Sequence, residues 1–192
     1  MYNYIKGIIV SKETGLAVIE NNGIGYEINM SALALEKLPF EGENATIHTY
    51  QVVKEDEISL YGFYSKAEKN MFLNLISVNG IGPKMAIGIL SNINLEDLEM
   101  AIISGDSKIL GKVKGIGGKT AERIVLELKD KIEKTSSFEV ISNNDNSKEM
   151  EDAIVVLESL GISRIDAVKR VRALATKTDK AEDIIAKVLK DR

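Results

Sequence analysis

The sequence VNGIGPKMA at residues 78–86 returns as VKGIGGKTA at residues 113–121, 35 positions further along the chain. Both copies share the pattern V-x-G-I-G-x-K-x-A. Two glycines one residue apart allow a tight turn with accessible N–H groups, and a lysine follows just inside a predicted helix start. Backbone N–H groups, the positive end of a helix and a nearby cation together favour phosphate. The repeat therefore predicts two phosphate-binding turns on one chain.

The helical pattern around the two turns is duplicated as well. Residues 65–134 read as helix, turn, helix, connector, helix, turn, helix, with apolar residues at helical spacing. Ser65 with Glu68 predicts a capping box, Pro83 suits a first helical position, and Asn94 predicts the N-cap of the connector. This order predicts two copies of one helix-hairpin-helix unit.

The glycine turns also allow two less specific interpretations. Both could be tight helix–helix connections without a ligand, but lysines at the same offset, Lys84 and Lys119, favour phosphate binding. Gly118-Lys119-Thr120 also looks like the end of a P-loop. That motif needs a glycine where Val113 stands and a preceding strand, so a nucleotide site is not predicted.

Residues 1–62 have the pattern of a small β-domain. Five runs rich in β-branched residues, the hairpin dipeptide Asn22-Gly23 and a short helix capped by Ser31 predict a barrel of OB type. This region holds 4 basic and 9 acidic side chains. Its charge argues against single-strand binding on a basic face and favours a role in assembly.

The turn Lys54-Glu55-Asp56-Glu57 lies between two of the predicted strands. It reads either as an ordinary solvated hairpin tip or as an acidic probe that repels nucleic acid. The net charge of the chain is −4, yet residues 63–134 hold 11 basic and 9 acidic side chains. The positive charge is thus concentrated where the repeat lies, which is where a nucleic-acid contact is expected.

The last part of the chain predicts a small tethered module. Residues 135–147 are rich in Ser and Asn and predict a flexible linker. Residues 148–192 predict three helices, the first ending at Gly161, with caps at Ser163 and Asp179. A bundle of this size without a catalytic set is typical of a docking module.

Composition excludes several classes of function. The chain has no cysteine and only one histidine, His48, which excludes disulfides, thiolate chemistry and a Cys/His zinc site. No apolar run is long enough to span a bilayer and the N-terminus lacks a signal-peptide pattern, so a cytoplasmic protein without membrane contact is expected. No cofactor or metal is expected.

Taken together, these motifs resemble the RuvA family, the Holliday-junction-binding subunits of the bacterial branch-migration complex. The resemblance spans the whole chain. It rests on GYE at residues 25–27, VKED at 53–56, LYGF at 60–63, NGIGPK at 79–84 and GIGGKTAER at 115–123. It implies a multidomain α+β fold: an OB-fold barrel at 1–63, a tandem helix-hairpin-helix domain at 64–134, a linker at 135–147 and a three-helix, UBA-like domain at 148–192.

The resemblance also implies roles and partners. A homotetramer, or two tetramers face to face, would hold a four-way DNA junction open in recombination, repair and the SOS response to DNA damage. The C-terminal domain would dock the RuvB ATPase motor, and the RuvC endonuclease would be a further partner. Glu55 and Asp56 would form an acidic pin at the junction centre. DNA-binding positions would be Asn79, Gly80, Gly82, Lys84, Lys114, Gly115, Gly117, Gly118, Lys119, Thr120 and Arg123.

Two positions depart from the family pattern. Lys54 stands beside the pin where arginine is frequent, which keeps the charge but loses bidentate geometry. Gly118 stands where lysine is frequent, so phosphate affinity is either lower or supplied by Lys112 and Lys114.

Two alternatives to a junction-binding subunit stay open at this point. A DNA lyase or glycosylase built on the same hairpin would need a catalytic Lys or Asp, for which Lys119 and Asp130 are the nominal candidates. A protein-interaction scaffold would use the hairpins only as helix turns.

Overall fold

A computed structural model of the chain describes residues 1–142, 147–176 and 178–190. These residues form two compact units, Met1–Lys129 and Asp130–Arg192. The strands are β1 Tyr4–Glu13, β2 Leu16–Asn21, β3 Ile24–Met30, β4 Asn44–Val53 and β5 Ile58–Phe63. The helices are α1 Ala32–Lys37, α2 Lys66–Ile76, α3 Pro83–Asn92, α4 Leu95–Ser104, α5 Ser107–Gly111, α6 Gly118–Ser142, α7 Ser147–Ser159, α8 Arg164–Leu174 and α9 Ala181–Lys190.

The five strands close into a barrel, as the sequence predicted, and their order around it is β1-β2-β3-β5-β4. All neighbours are antiparallel except β3 and β5, which pair in parallel at Asn29–Tyr61 and Met30–Gly62. Asn22 and Gly23 both have positive φ, 50° and 80°, which is the turn geometry that matches strand twist in a two-residue hairpin. The interior is filled by alternate aliphatic residues such as Ile9, Ile19, Ile28 and Ile47.

Helix α2 joins the barrel to the first glycine turn and packs on the outer surface of the barrel. Phe72 contacts three barrel rings, with centroid distances of 5.7 Å to Tyr50, 5.5 Å to Tyr61 and 4.8 Å to Phe63. A buried aromatic cluster of this kind stabilises beyond the area it buries. It attaches the first hairpin firmly to the barrel within one unit.

One of the two hydrogen bonds of the capping box predicted at the start of α2 is observed. The Glu68 N–H donates to Ser65 Oγ at 3.1 Å, which is the expected cap. The Glu68 carboxylate, however, accepts from the Tyr64 N–H rather than from Ser65. Its other oxygen accepts from the Ser31 hydroxyl, a partner that local spacing could not reveal.

The stretch predicted as a non-helical linker differs in the structure. Residues 135–142 continue α6, and Ser147 begins α7, while residues 143–146 lie outside the described part of the chain. A helix that has already formed extends at little cost per residue. No glycine or proline interrupts the sequence between Lys119 and Ser142, so the modest helix propensities of Ser and Thr do not end it.

The second unit contains the three predicted short helices, α7 to α9. They share a core that includes Ala153, Leu157, Val171, Ile184 and Val188. Helix α7 ends at Ser159 and is closed by Gly161 at φ 87°. The Ile162 N–H donates to the Leu157 carbonyl, as expected for a glycine C-cap.

The caps of α8 and α9 give one confirmation and one correction. Ser163 caps α8 as predicted, because its Oγ accepts from the Asp166 N–H at 3.2 Å. Asp179 does not cap α9: its carboxylate accepts from the Thr176 N–H and from Lys187 Nζ. The hydrogen bond from Lys187 is the main reason that the pKa of Asp179 falls to about 2.

Candidate nucleic-acid interface

The two glycine turns have the same backbone structure. Three hydrogen bonds close the first turn, donated by Val78 to Leu75 at 3.1 Å, by Ile81 to Val78 at 3.0 Å and by Ala86 to Gly82 at 3.0 Å. Each has a counterpart 35 residues later at 3.0 Å, from Val113 to Leu110, from Ile116 to Val113 and from Ala121 to Gly117. The shared Val, Ile and Ala of each phrase are buried. These residues anchor the turn, and the first variable position of each phrase, Asn79 or Lys114, is exposed.

The glycines of each turn differ in backbone conformation and therefore in what requires them. Gly80 and Gly115 have φ of 88° and 91°, a conformation that other residues rarely adopt. Gly82 has an ordinary φ of −90°, and a Cβ placed on Gly82, Gly117 or Gly118 would meet no atom of the described chain within 4 Å. Folding therefore does not require glycine at these three positions. Their bare backbone leaves room for something outside the protein to approach closely.

The accessible donors lie where the sequence predicted them. Lys84 is in the first turn of α3, and Gly118 and Lys119 are in the first turn of α6. The first N–H groups of a helix have no partner within it, and no acceptor for these three lies in the described residues. Thr120 is less free, since its N–H donates to the Gly117 carbonyl at 3.0 Å. The side chains of Lys84, Lys114 and Lys119 are exposed.

Arg123 connects the two turns. Its guanidinium, one helical turn beyond Lys119, donates to the carbonyl of Asn79 at 3.3 Å. The corresponding position in the first copy is Gly88, so the repeat has this connection once. Asn79 and Arg123, both predicted to contact DNA, are thus in contact with each other.

The acidic turn between β4 and β5 lies near the first glycine turn. The pKa of Glu57 is lowered mainly by the hydrogen bond from Ser59 Oγ at 2.5 Å and further by the positive charges of Lys54 and Lys84. Tyr50 and Tyr61, opposite each other at the base of this hairpin, contact Phe72 of α2, the helix before the first glycine turn. Glu55 and Asp56, the two predicted pin residues, are exposed at the tip. Glu57 belongs to the same acidic turn and is also exposed, but the resemblance does not include it in the pin.

Lys54 has a local role in this turn. Its N–H donates to the Glu57 carbonyl at 2.8 Å and its ammonium lies 3.9 Å from the Glu57 carboxylate. Both groups are well exposed, so the ion pair contributes little stability. The backbone bond closes the turn and presents Glu55 and Asp56 to solvent.

A buried corner of the barrel fixes the first hairpin in place. Ser31, fully buried at the end of β3, donates to Glu68 of α2 at 2.9 Å. The next residue, Ala32, donates its N–H to Ser91 Oγ of α3 at 3.1 Å. Both helices that flank the first glycine turn therefore bind the same corner. This arrangement sets the position of Lys84 relative to the acidic turn.

Replacing Glu68 with alanine tests this corner. The change leaves the buried Ser31 hydroxyl and the Tyr64 N–H without their acceptor, which we expect to cost about 1–3 kcal/mol of unfolding free energy. Thermal or urea unfolding measures it. An unfolding free energy equal to that of the wild type would show that the corner contributes nothing.

Glu68 also gives the fold a defined pH dependence. Burial is the main cause of its raised pKa, so the folded chain holds this proton more tightly than the unfolded chain. Ionisation of Glu68 therefore costs stability at neutral pH, and the cost vanishes as pH falls through the folded pKa to below the unfolded value. We expect the stability of the wild type relative to Glu68→Gln to rise between pH 7 and pH 4. A constant difference across that range would contradict this sign.

Lys119 and Asp130, the two alternative candidates for base-excision chemistry, both belong to helix α6. Among the described residues, no group of His, Asp or Glu side chains is arranged to hold a metal.

Membrane-spanning character is not found in the described helices. None of them has both the length and the apolar composition that crossing a bilayer requires.

Comparison with known proteins adds independent information. The family model described as RuvA N terminal domain matches residues 1–62. The model described as SAM-like Helix-hairpin-helix tandem matches residues 72–130.

Curated relatives match nearly the whole chain. The Holliday junction branch migration complex subunit RuvA of Clostridium botulinum (strain Loch Maree / Type A3) is 43% identical over 194 residues, covering 99% of this chain and 98% of the relative. The subunit of the same name from Alkaliphilus oremlandii (strain OhILAs) is 41% identical over 191 residues, with coverage of 99% and 98%.

Proposed function

The chain belongs to the RuvA family, and on this premise we propose that it is a non-catalytic subunit that binds four-way DNA junctions. The observation that carries the proposal is the pair of glycine turns with matching hydrogen bonds, together with an exposed acidic turn on the same compact unit. The turns hold DNA backbone, and the acidic turn selects the shape of the DNA.

The glycine turns account for binding that does not depend on base sequence. Backbone N–H groups and lysines at a helix start bind phosphate oxygens, which are the same in every sequence. Two such turns on one unit, joined by Arg123 and Asn79, hold two phosphates at a defined spacing. The phosphate contacts make affinity fall steeply with salt, at about −0.9 in log–log slope per phosphate.

The acidic turn supplies the discrimination. Glu55, Asp56 and Glu57 place three carboxylates at one exposed tip. A continuous duplex that crossed the binding face would bring phosphates against this tip, and like charges at close range cost free energy. A four-way junction, opened at its centre, leaves room there. The tip therefore acts mainly by disfavouring continuous duplex, and not by binding the four-way junction.

Assembly and partners complete the proposal. A homotetramer, single or paired face to face, repeats the phosphate contacts around a junction and multiplies weak contacts into a tight hold. Residues 148–192 act as the docking domain for the RuvB motor, and RuvC is a further partner. In support, the helices of the second unit form a core of their own and leave Val155, Val156 and Leu160 exposed.

A gel-shift titration tests the central claim. A synthetic four-way junction and a linear duplex with the same arm sequence are compared at one stated salt concentration. We expect the junction to bind at least about tenfold more tightly, whatever the arm sequence. Native mass spectrometry of the same samples reports the number of subunits on the junction. Equal affinity for both DNAs would contradict the proposed function.

A further inference from the structure

The β4–β5 hairpin extends beyond the closed part of the barrel. Strand β1 pairs with β4 only as far as His48, and β3 pairs with β5 only at Tyr61 and Gly62. From residue 50 to residue 60 the two strands pair only with each other. The hairpin is therefore a two-stranded ribbon that carries the acidic turn at its free end.

The ribbon carries an exposed aliphatic pair directly behind the acidic tip. Val53 and Ile58 are opposite each other in the register and therefore share one face. Their side chains are 66% and 69% exposed. By strand alternation this face is the one that carries Thr49 and Gly62 toward the barrel interior, where Thr49 is fully buried. Val53 and Ile58 thus have core-type side chains at a point where the barrel has already ended.

We propose that Val53 and Ile58 contact the exposed faces of bases at the branch point of a four-way junction. This inference rests on the proposed function and adds a base-contacting surface to its phosphate-binding turns. Phosphates are disfavoured as the ligand of this pair, because the turn between the two residues carries three carboxylates, Glu55, Asp56 and Glu57, against the single ammonium of Lys54. Bases are neutral and present apolar faces, so they are the part of DNA that this tip tolerates.

The position and the size of the Val53–Ile58 pair also support DNA bases as its ligand. Tyr50 and Tyr61, opposite each other at the base of the ribbon, contact Phe72 of α2, the helix that leads into the first glycine turn. The ribbon and a proposed phosphate-binding turn are therefore held on the same packed helix. Two aliphatic side chains offer far less than the roughly 800 Å² per partner that a stable protein interface buries. One or two base faces match an area of this size.

The branch point of a junction exposes base faces, whereas a continuous duplex does not. In a continuous duplex every base face is stacked, whereas the pairs around an opened branch point lack a stacking neighbour on one side. Aliphatic side chains inserted against unstacked base steps are a known way to bind DNA. Burying Val53 and Ile58 there is favourable in proportion to the apolar area removed from water. The pair would then attract branched DNA while the acidic tip repels duplex.

The double variant Val53→Thr, Ile58→Thr tests the inference. Threonine keeps the β-branched shape and strand preference but adds a hydroxyl. The matched control is Val10→Thr, Ile24→Thr, which changes two exposed aliphatics, 49% and 57% exposed, on other strands of the same barrel. A Val53→Leu, Ile58→Leu variant keeps the apolar surface. Unfolding temperatures of all variants verify the fold.

Two readouts are needed, both with full-length protein. Junction and duplex affinities come from titration, and 2-aminopurine placed at the branch point or within an arm reports base contact. We expect the threonine pair to lose about tenfold in junction affinity, to keep its duplex affinity and to lose the wild-type fluorescence change at the branch point only. The control and the leucine pair should behave as the wild type.

Two results would overturn the inference. Unchanged junction affinity and unchanged branch-point fluorescence in the threonine pair would show that the bases are not contacted. A smaller assembly by native mass spectrometry for the threonine pair, but not for the control, would assign the pair to a subunit contact instead. Failure of the proposed function would look different, because the wild type itself would then not prefer junctions.

Discussion

Replacing Lys84 and Lys119 together with glutamate is expected to lower the affinity for a four-way junction about 100-fold or more. Each lysine stands in the first turn of a helix, α3 or α6, beside N–H groups without a partner in the described chain. Reversal of both charges turns attraction of phosphate into repulsion at both turns of every subunit. The slope of log affinity against log salt should become shallower, by about 0.9 for each phosphate that the variant no longer binds. Titration at several salt concentrations measures both effects.

The control for this variant makes the same change in net charge at two lysines outside the glycine turns. Lys180→Glu with Lys190→Glu alters the net charge by the same amount in the second unit, which contains neither copy of the repeated glycine phrase. We expect this control to bind junctions within a few-fold of the wild type. If the folded Lys84 and Lys119 variant binds junctions as the wild type does, the turns are only helix connections.

Neutralising the acidic tip should raise affinity rather than lower it, and the DNA concerned is linear duplex rather than the junction. With Glu55→Gln and Asp56→Asn, we expect affinity for linear duplex to rise about tenfold, while affinity for the junction changes little. The preference for junctions would therefore fall. The reason is that the tip acts by repelling phosphates that cross the binding face, and the junction places none there. Competition between junction and duplex in one titration gives the ratio directly.

The matching control removes the same charge elsewhere on the barrel. Glu27 and Glu36 are exposed carboxylates outside the acidic turn, and Glu27→Gln with Glu36→Gln changes the net charge equally. A rise in duplex affinity of the same size in this control would mean that total charge, not the tip, governs discrimination. A selectivity unchanged in the tip variant would reduce the turn to an ordinary solvated hairpin.

Much of the fold could be predicted because its signals are local. Asn22-Gly23 specifies a hairpin turn through two positive φ angles, and both are observed. Ser65, Asn94 and Ser163 cap the helices that follow them, because each needs only an N–H group three residues away. The repeated phrase predicts its own turn, since the buried Val, Ile and Ala and the positive-φ glycine lie within nine residues.

The wrong predictions have equally local causes. Residues 135–142 look polar and irregular, yet they continue α6 because nothing in the sequence ends a helix that began at Gly118. Asp179 has the spacing of a cap, but Lys187 and the Thr176 N–H take its carboxylate. In both places the sequence pattern was weak, and a neighbouring interaction decided the outcome.

By itself the sequence determined the barrel, the duplicated glycine turns, the residues that present N–H groups and lysines, and the resemblance to the RuvA family. Only the tertiary structure decided which of these residues meet. Ser31 reaches Glu68 across 37 positions, Ala32 reaches Ser91 across 59, and Arg123 reaches Asn79 across 44. Periodicity and capping motifs describe neighbours along the chain, whereas these contacts depend on the path of the chain between them. For the same reason, only the structure shows that Val53 and Ile58 lie beyond the closed part of the barrel.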